Sequence, residues 1–248
     1  MSNALFGNLT TDGLEETQDR LGGFQPFDTD VYTGKIKAAY AGESSGGAKN
    51  ITLLVDMPGG KEYRETVYIT NKKGENFFLN KQDNSKKVPL PGFTIIDDIC
   101  LIVTGKPLAQ QEVEEKQFKV WDNEAKKELP KAVMMLTELV GQDIKLGILR
   151  NLENKSEKQG DAYVATAATR ETNNIDKVFH PEQNLTVAEA RSGQEEAKFL
   201  DAWTERNKGQ VRDKREIKEG EGGGTAGAPK ASNQTAAAPG KSLFPKKS

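Results

Sequence analysis

Cysteine and histidine are almost absent from this chain, which has one of each among its 248 residues. A disulfide framework needs paired cysteines and the usual zinc site needs several Cys or His ligands, so both are excluded. The cysteine, Cys100, lies in the apolar run "IIDDICLIV", where we expect a buried small hydrophobe. The histidine, His180, is expected in a loop, and alone it gives no basis for a Ser-His-Asp triad.

Long apolar runs are also missing. No stretch approaches the roughly 18 apolar residues that span a bilayer. The first residues, "MSNALFGNLTT", lack the charged and apolar regions of a signal peptide. We therefore expect a soluble protein of the cytoplasm with no membrane partner. Hydrophobic residues make up only 35% of the chain, which indicates a compact core joined to disordered sequence.

Signatures of catalysis are equally scarce. The segment "VTGKP" is similar to the end of a phosphate-binding loop, but Cys100 stands at the first glycine position and Pro107 at the Ser/Thr position. Acidic runs such as Asp97 with Asp98 are typical of a helix start or a solvated face rather than a cation site. We predict no catalytic residue, no metal and no cofactor.

Charge is unevenly distributed along the chain. The formal net charge is -2, yet residues 204 to 248 carry ten Lys/Arg against five Asp/Glu, which leaves the rest of the chain acidic. The stretch "EGEGGGTAGAPKASNQTAAAPGKS" in this region has almost nothing to bury and reads as a flexible linker. We predict an N-terminal arm at 1–29, a folded domain at 30–205 and a flexible basic tail at 206–248.

Alternating apolar residues predict strands from residue 31 onward. The segments "VYTGKIKAAY", "KNITLLVD" and "KEYRETVYIT" are joined by Gly-rich connections and form a three-strand meander. The segment "TIIDDICLIVTGKP" predicts a helix that is capped by Thr94 and ends at Gly105. Further strands are predicted in "KQFKVWD" and "DIKLGILR", whereas "KAVMMLTELVG" fits either a helix or a strand.

This order of elements indicates a fold. Three strands, a helix and two more strands is the order of the OB-fold, a five-stranded antiparallel Greek-key barrel with its helix between strands 3 and 4. Residues 151–203 follow as an appendage with a strand in "DAYVATAATRE" and two helices, the first with Thr186 and Glu189 as a capping box. The predicted class is mainly β with a small C-terminal helical appendage.

A binding surface is predicted on the outer face of this barrel. If the apolar residues of each strand face the core, alternation sends a base outward on four strands and an aromatic ring beside it on two. Cations follow phosphates and exposed rings stack on bases, so this face suits single-stranded nucleic acid. The turn "TNKKGEN" and the two phenylalanines after it extend the track. The predicted contacts are Lys35, Lys37, Arg64, Tyr68, Lys72, Lys73, Phe77, Phe78, Lys119, Trp121 and Lys145.

Other interpretations of this face stay open. Tyr68 and Trp121 can be packing residues covered by the appendage, with the lysines as an ordinary soluble surface. The same face can instead bind protein, as in a virion or assembly component. An enzyme that acts on nucleic acid through a carboxylate-bound metal is the third alternative, and Glu62 is one of the few acids at the outward positions.

Several segments together resemble a known family. The runs "GESSGGAKNITLLVDMPGGKEYRETVYITNKKGENFF", "LPGFTIIDDICLIVTGKPL" and "FLDAWTERNKGQVRDKR" are similar in order and texture to single-stranded DNA-binding proteins of tailed bacteriophages, which are built on an OB-fold. The resemblance covers roughly residues 31 to 215. It implies a protein without enzymatic activity that coats DNA strands exposed during replication, recombination or repair, without sequence preference, in the cytoplasm of the host cell.

The end of the chain departs from this family. Many such proteins end in an acidic tail that recruits replication partners, whereas this chain ends in "GKSLFPKKS". Recruitment of replication or recombination proteins would therefore depend on the "SLF" segment rather than on an acidic tip. The alternative is that the basic tip only adds non-specific affinity for DNA.

Overall fold

The computed structural model describes residues 25–122, 124–160 and 162–217. The predicted arm up to residue 24 and the predicted tail from residue 218, including its "SLF" segment, lie outside the described residues. Within the described ranges the chain forms ten strands and three helices. The strands are β1 (Asp30–Glu43), β2 (Lys49–Met57), β3 (Lys61–Tyr68), β4 (Phe77–Leu79), β5 (Lys87–Pro89), β6 (Val113–Asp122), β7 (Lys127–Leu136), β8 (Asp143–Gln159), β9 (Ala162–Phe179) and β10 (Val211–Asp213). The helices are α1 (Pro91–Thr104), α2 (Val187–Arg191) and α3 (Lys198–Asn207).

One open, mainly antiparallel sheet contains eight of these strands. Its central order is β10, β8, β1, β2, β3, while β9 pairs with β8, and the β6–β7 hairpin joins the sheet through β1. The predicted meander is confirmed as β1, β2 and β3, and the predicted mainly β class is confirmed with it. The expected five-stranded barrel is not closed, because β3 pairs with β2 alone and β9 with β8 alone among the described strands.

Strand β1 joins two parts of the sheet and changes register between them. Its first residues, from Asp30 to Lys35, pair with β8, and its later residues pair with β2 and briefly with β7. The register with β2 shifts between Ile36 and Ala38. A bulge of this kind increases local twist and lets one strand turn between two directions.

The main core lies between one face of the sheet and α1. Cys100 is fully buried there, as predicted, and its burial raises the pKa of the thiol to about 12, so the thiol stays uncharged. Apolar side chains at alternate strand positions supply the rest of this core. Its fully buried members include Ile36, Leu53, Val55, Ile96, Ile99, Ile144, Leu146 and Ile148.

Helix α1 begins earlier than its sequence signal suggested. Pro91 occupies the first turn after the N-cap residue Leu90, which makes no side-chain capping bond. Proline suits this position because its fixed φ matches the helix and its missing N–H needs no partner there. The predicted cap at Thr94 is therefore wrong, and its hydroxyl instead donates to the Leu90 carbonyl at 3.3 Å. The predicted end is confirmed, since Gly105 takes the left-handed conformation at φ 72°.

Two segments that the sequence left uncertain form strands paired with the main sheet. The ambiguous segment at 131–141 is mostly strand β7, and β9 pairs with β8 along nearly its whole length instead of forming part of an appendage. The capping box of Thr186 and Glu189 is confirmed at α2. The domain boundary expected at 205 falls inside α3, after which β10 pairs with β8. No helix in the described ranges is long and apolar enough to cross a bilayer.

Candidate nucleic-acid interface

Strand β3 places its residues in two different environments. Tyr63 and Val67 are buried in the main core, and alternation sends Arg64 and Tyr68 to the opposite, outer face of the sheet. Tyr68 is 51% exposed there. The Arg64 guanidinium lies close to the Tyr40 hydroxyl, with 3.4 Å between nitrogen and oxygen. The strand thus presents a ring and a cation on the same face, with Thr66 between them.

A second, smaller core covers part of the same outer face. The β6–β7 hairpin packs over β1 and β2, and the rings of Tyr40 and Phe118 lie 5.7 Å apart. The outer face is therefore not an open platform across all its strands. The side chains of this outer core are Ala38, Tyr40, Leu54, Phe118, Val120, Val133 and Met135.

Lys119 and Trp121 lie on the far side of this hairpin. They alternate with Phe118 and Val120, which face the outer core, so their side chains leave the hairpin on the surface turned away from the sheet. Trp121 is 45% exposed. The predicted alternation is correct, but Trp121 stands on a projecting hairpin and does not share the sheet surface of Tyr68. Alternation along β6 gives the direction of Trp121 relative to Phe118, but it does not show that β6 pairs, among the described strands, with β7 alone and so leaves the barrel that was expected.

Two of the predicted lysines already have acidic partners. The Lys35 ammonium lies 2.8 Å from the Asp143 carboxylate and also donates to a backbone carbonyl at 3.0 Å. Lys37 donates to the Glu62 carboxylate, and this hydrogen bond is the main reason that the pKa of Lys37 is raised. Exposed ion pairs of this kind contribute little to stability. A phosphate that binds either lysine must compete with the carboxylate or share the ammonium with it.

Lys145 lies on the outer face, but under the C-terminal elements. Its ammonium donates to the side-chain oxygen of Asn184. The next residue on this face of β8, Gly147, touches α3, since a Cβ there would lie 3.1 Å from the Trp203 ring. This part of the face is therefore covered, and Lys145 is half-buried.

The loop after β3 carries the remaining predicted residues. Lys72 and Lys73 are exposed in a turn where the Asn71 side-chain oxygen accepts from the backbone N–H groups of Lys73, at 2.8 Å, and Glu75, at 3.0 Å. Gly74 closes the turn with a φ of 80°, a conformation that favours glycine. Neither lysine forms an ion pair within the described ranges, so both cations are available to an anionic ligand.

The two phenylalanines of β4 have different roles. Phe78 is 45% exposed, whereas Phe77 is half-buried beneath the Lys87 ammonium, 4.3 Å from its ring centre. A cation over a ring at this distance is a favourable cation–π contact. Lys87 was missed from sequence, although the pair "KK" just before "VPLP" on the partner strand was its signal. We call the exposed set Arg64, Tyr68, Lys72, Lys73 and Phe78 the β3 surface.

Acidic and nucleophilic groups do not converge on the β3 surface. Within the described ranges no three His, Cys, Asp or Glu side chains are placed to hold a metal ion. His180 lies at a turn, where its Nδ1 accepts from the backbone N–H of Gln183 at 3.1 Å. Glu62 is bonded to Lys37, and the Asp97 carboxylate accepts from the Leu108 N–H at 2.8 Å. What the chain does must be inferred from its own residues, because no protein-family model matches it and no curated protein is detectably similar to it.

Proposed function

We propose that this chain binds single-stranded DNA without sequence preference and has no catalytic activity of its own. The observation that carries this proposal is that β3 and the segment after it present the exposed rings of Tyr68 and Phe78 together with exposed cations, of which Lys72 and Lys73 form no ion pair within the described ranges. On this proposal the protein coats strands exposed in replication, recombination or repair. If it is encoded by a phage, it acts in the cytoplasm of the host cell.

The chemistry of the β3 surface fits a single strand better than a duplex. Unpaired bases offer both ring faces, and stacking on an exposed aromatic side chain is worth roughly 1–3 kcal/mol per base whatever the base. Arg64, Lys72 and Lys73 supply charge for the phosphates on either side of such a base. A duplex keeps its bases stacked on one another and would meet only the cations.

Trp121 and Lys119 extend this proposal to the β6–β7 hairpin. Because the hairpin folds across the outer face, a strand lying on the β3 surface runs alongside it. The far side of the hairpin offers a further ring and a further cation, which the same strand contacts where it passes over the hairpin. Lys35, Lys37 and Lys145 are weaker contacts in this arrangement, since each already has a partner.

The relation of this sheet to the OB-fold is part of the same proposal. We regard the sheet as a variant of the OB-fold in which β3 and β9 approach each other without a backbone ladder. The Glu65 carboxylate of β3 accepts from the backbone N–H of Ile175 in β9 at 2.8 Å. A side chain would thereby take the place of the strand pairing that closes the barrel in the five-stranded form.

A protein-binding module is the second candidate, and one observation favours it. Tyr163 and Val164 lie near the tip of the β8–β9 hairpin, and Tyr163 is 73% exposed. Exposed apolar side chains on a projecting hairpin are typical of a contact with another protein, such as a virion or assembly component. This candidate predicts that the fluorescence of Trp121 does not change when single-stranded DNA is added.

A titration with labelled oligonucleotides tests the proposed function. Fluorescence anisotropy with oligo-dT should show binding, and unlabelled duplex should compete less well than unlabelled single strands. If three to five phosphates are neutralised, log K should fall with log salt at a slope of about -2 to -3.5, at about -0.7 per phosphate. A single-stranded RNA competitor separates DNA from RNA preference. Equal affinity for duplex and single strand, or a slope near zero, contradicts the proposal.

A further inference from the structure

We propose that a cavity between β9, α3 and β10 binds a backbone phosphate of the same single strand. This inference rests on the proposed DNA-binding function and adds a site at the opposite edge of the sheet from β3. The cavity has a volume of about 330 Å³. That lies at the lower end of the roughly 300–1,000 Å³ typical of ligand sites, enough for a phosphate with part of its sugar. Its lining residues are Asp176, Lys177, Phe199, Ala202, Trp203, Arg206, Asn207 and Arg212.

Three cations from three different elements line this cavity, against one carboxylate. Lys177 comes from β9, Arg206 from α3 and Arg212 from β10, and the acid is Asp176. Arg212 lies 4.0 Å from the Asp176 carboxylate and is only partly neutralised by it. Lys177 and Arg206 form no ion pair within the described ranges. The cavity therefore carries a net positive charge, which favours an anion.

The Asp176 carboxylate also accepts a hydrogen bond that fixes its position. The indole N–H of Trp203 donates to Asp176 at 2.7 Å, and Trp203 is buried edge-on against Phe179 with ring centres 6.4 Å apart. The side chain of Asn207 donates to the Trp203 carbonyl at 2.8 Å. These contacts fix the wall formed by Asp176 and Trp203, whereas the exposed side chains of Lys177 and Arg206 must still order around an incoming phosphate.

An exposed ring at the mouth makes the cavity suitable for a nucleotide rather than a bare ion. Phe199 is 40% exposed, and the Lys177 ammonium lies 5.7 Å from its ring centre. A base can stack on this ring while its phosphate lies among Lys177, Arg206 and Arg212. Free inorganic phosphate carries the negative charge but has no base to stack on Phe199, so a comparison of the two ligands tests the role of the base.

The strand register places the cavity on the same face of the sheet as the β3 surface. Lys35 of β1 is paired with Asp143 of β8 on one side and with Asp56 of β2 on the other. Residues paired across a sheet share a face, so the outer face continues from Arg64 through Lys35 to Lys177, which is paired with Gly147 of β8. A strand of DNA that reaches both sites therefore stays on one side of the sheet and passes over α3, which covers this face at Gly147.

Paired substitutions test the site. Lys177→Ala with Arg206→Ala removes two exposed cations that have no ion pair among the described residues. Oligo-dT binding should weaken roughly tenfold at low salt, and the salt slope should become shallower by about 1.4, from two contacts at about 0.7 each. The matched control is Lys158→Ala, an exposed lysine near the tip of the β8–β9 hairpin, which should change neither value.

The two tryptophans separate this inference from the proposed function. The chain has only Trp121 and Trp203, so a ¹⁵N-labelled sample gives two indole N–H resonances, which Trp121→Phe assigns. A short oligo-dT should shift the Trp203 resonance, and the double variant should abolish this shift while keeping the resonance dispersed as in a folded protein. Inorganic phosphate at the same concentration should shift it much less.

The possible results distinguish the cavity site from the proposed DNA-binding function. If the oligonucleotide binds but the double variant keeps the slope and the Trp203 shift, the cavity site is overturned and the proposed function stands. If Lys158→Ala weakens binding as much as the double variant, the effect is bulk charge and the site is again overturned. If the wild-type protein binds no oligonucleotide, both claims fail. An equal Trp203 shift with inorganic phosphate overturns the role of the DNA backbone.

Discussion

At the scale of single residues, the exposed ring of Tyr68 is the side chain on which the proposed DNA binding most directly depends. Its outer face position follows from alternation with the buried residues Tyr63 and Val67. Under the proposed function it stacks on a base through its ring rather than through hydrogen bonds, so its contribution should be the same for every base. Its removal should also leave the core intact, since about half of its surface is already in water.

Tyr68→Ala should therefore weaken binding to oligo-dT and to mixed-sequence oligonucleotides by a similar factor. Losing one stacked ring corresponds to roughly 1–3 kcal/mol, or about 5-fold to 150-fold in affinity. Anisotropy titrations measure the affinity, and urea unfolding checks that the free energy of unfolding changes little. Tyr163→Ala, which removes an exposed tyrosine from the β8–β9 hairpin, is the matched control. Equal losses in the two variants would count against a site at β3.

A partly buried carboxyl group on α1, that of Asp98, should make stability depend on pH. Burial, together with the neighbouring charge of Asp97, raises the pKa of Asp98 to about 6, although Arg191 and Lys177 act in the opposite direction. A folded pKa above the unfolded value means that the folded state holds this proton more tightly. Stability from this group is thus fully present below about pH 4 and is lost as pH rises to about 6.

Asp98→Asn should raise the free energy of unfolding at pH 7.5 and give no gain at pH 3.5. After allowance for the partial exposure of this side chain, the gain should be about 1 kcal/mol. Urea unfolding at the two pH values measures it. Asp201→Asn, at an exposed aspartate of α3, should produce no such difference. A gain that is equal at both pH values would show that the carboxyl group is not the cause.

At the scale of elements, the β6–β7 hairpin determines how much of the outer face is open. Its inward residues Phe118, Val120 and Val133 pack on Tyr40 and form the outer core. This core is small and these three hairpin side chains are only partly buried, so the hairpin should be held less firmly than the main sheet. Elements with few buried apolar contacts open locally before the whole protein unfolds.

Phe118→Ala should loosen the hairpin without unfolding the domain. Loss of a half-buried ring should cost about 1–2 kcal/mol, less than for a ring in a full core. Amide hydrogen exchange should accelerate at 113–136, while the amides of α1 keep their protection. Phe78→Ala, at an exposed ring of β4, should leave both regions unchanged. Uniform acceleration throughout the chain would mean that the hairpin and the main core unfold as one unit.

The strands and helices could be predicted from the sequence more completely than the contacts between them. It located β1 to β3, the left-handed Gly105 and the capping box at Thr186, because each depends on neighbours within a few residues. It did not identify the outer core, since the pairing of Tyr40 with Phe118 joins residues far apart in the chain. It also missed Lys177, Arg206 and Arg212, which come from three separate elements and meet only after folding.

At the scale of the whole molecule, one side chain links the two free edges of the sheet. The Glu65 carboxylate of β3 accepts from the Tyr63 hydroxyl at 2.7 Å and from the Ile175 N–H of β9 at 2.8 Å. Burial is the main cause that raises the pKa of Glu65, and the two hydrogen bonds act against it. The link thus holds β3 near β9, although no backbone ladder joins them.

Removing this link should destabilise the molecule as a whole. Glu65→Ala leaves a buried N–H and a buried hydroxyl without their acceptor, at a cost of roughly 1–3 kcal/mol in the free energy of unfolding. Glu65→Gln keeps an acceptor oxygen and avoids burying a charge, so it should lie within about 1 kcal/mol of wild type at pH 7.5. Urea unfolding compares both with Glu62→Ala on the same strand. Equal stability of Glu65→Ala and wild type would contradict the link.

The sequence by itself determined the mainly β class, the buried state of Cys100 and the outward direction of Arg64 and Tyr68. These features follow from local rules, since alternation in a strand fixes which residues face the core. The tertiary structure alone decided that Trp121 stands on a folded-over hairpin, that Lys35 and Lys37 have acidic partners, and that three distant cations share a cavity. Such contacts depend on how strands bend and which elements cover a face, and alternation along one strand carries no information about either.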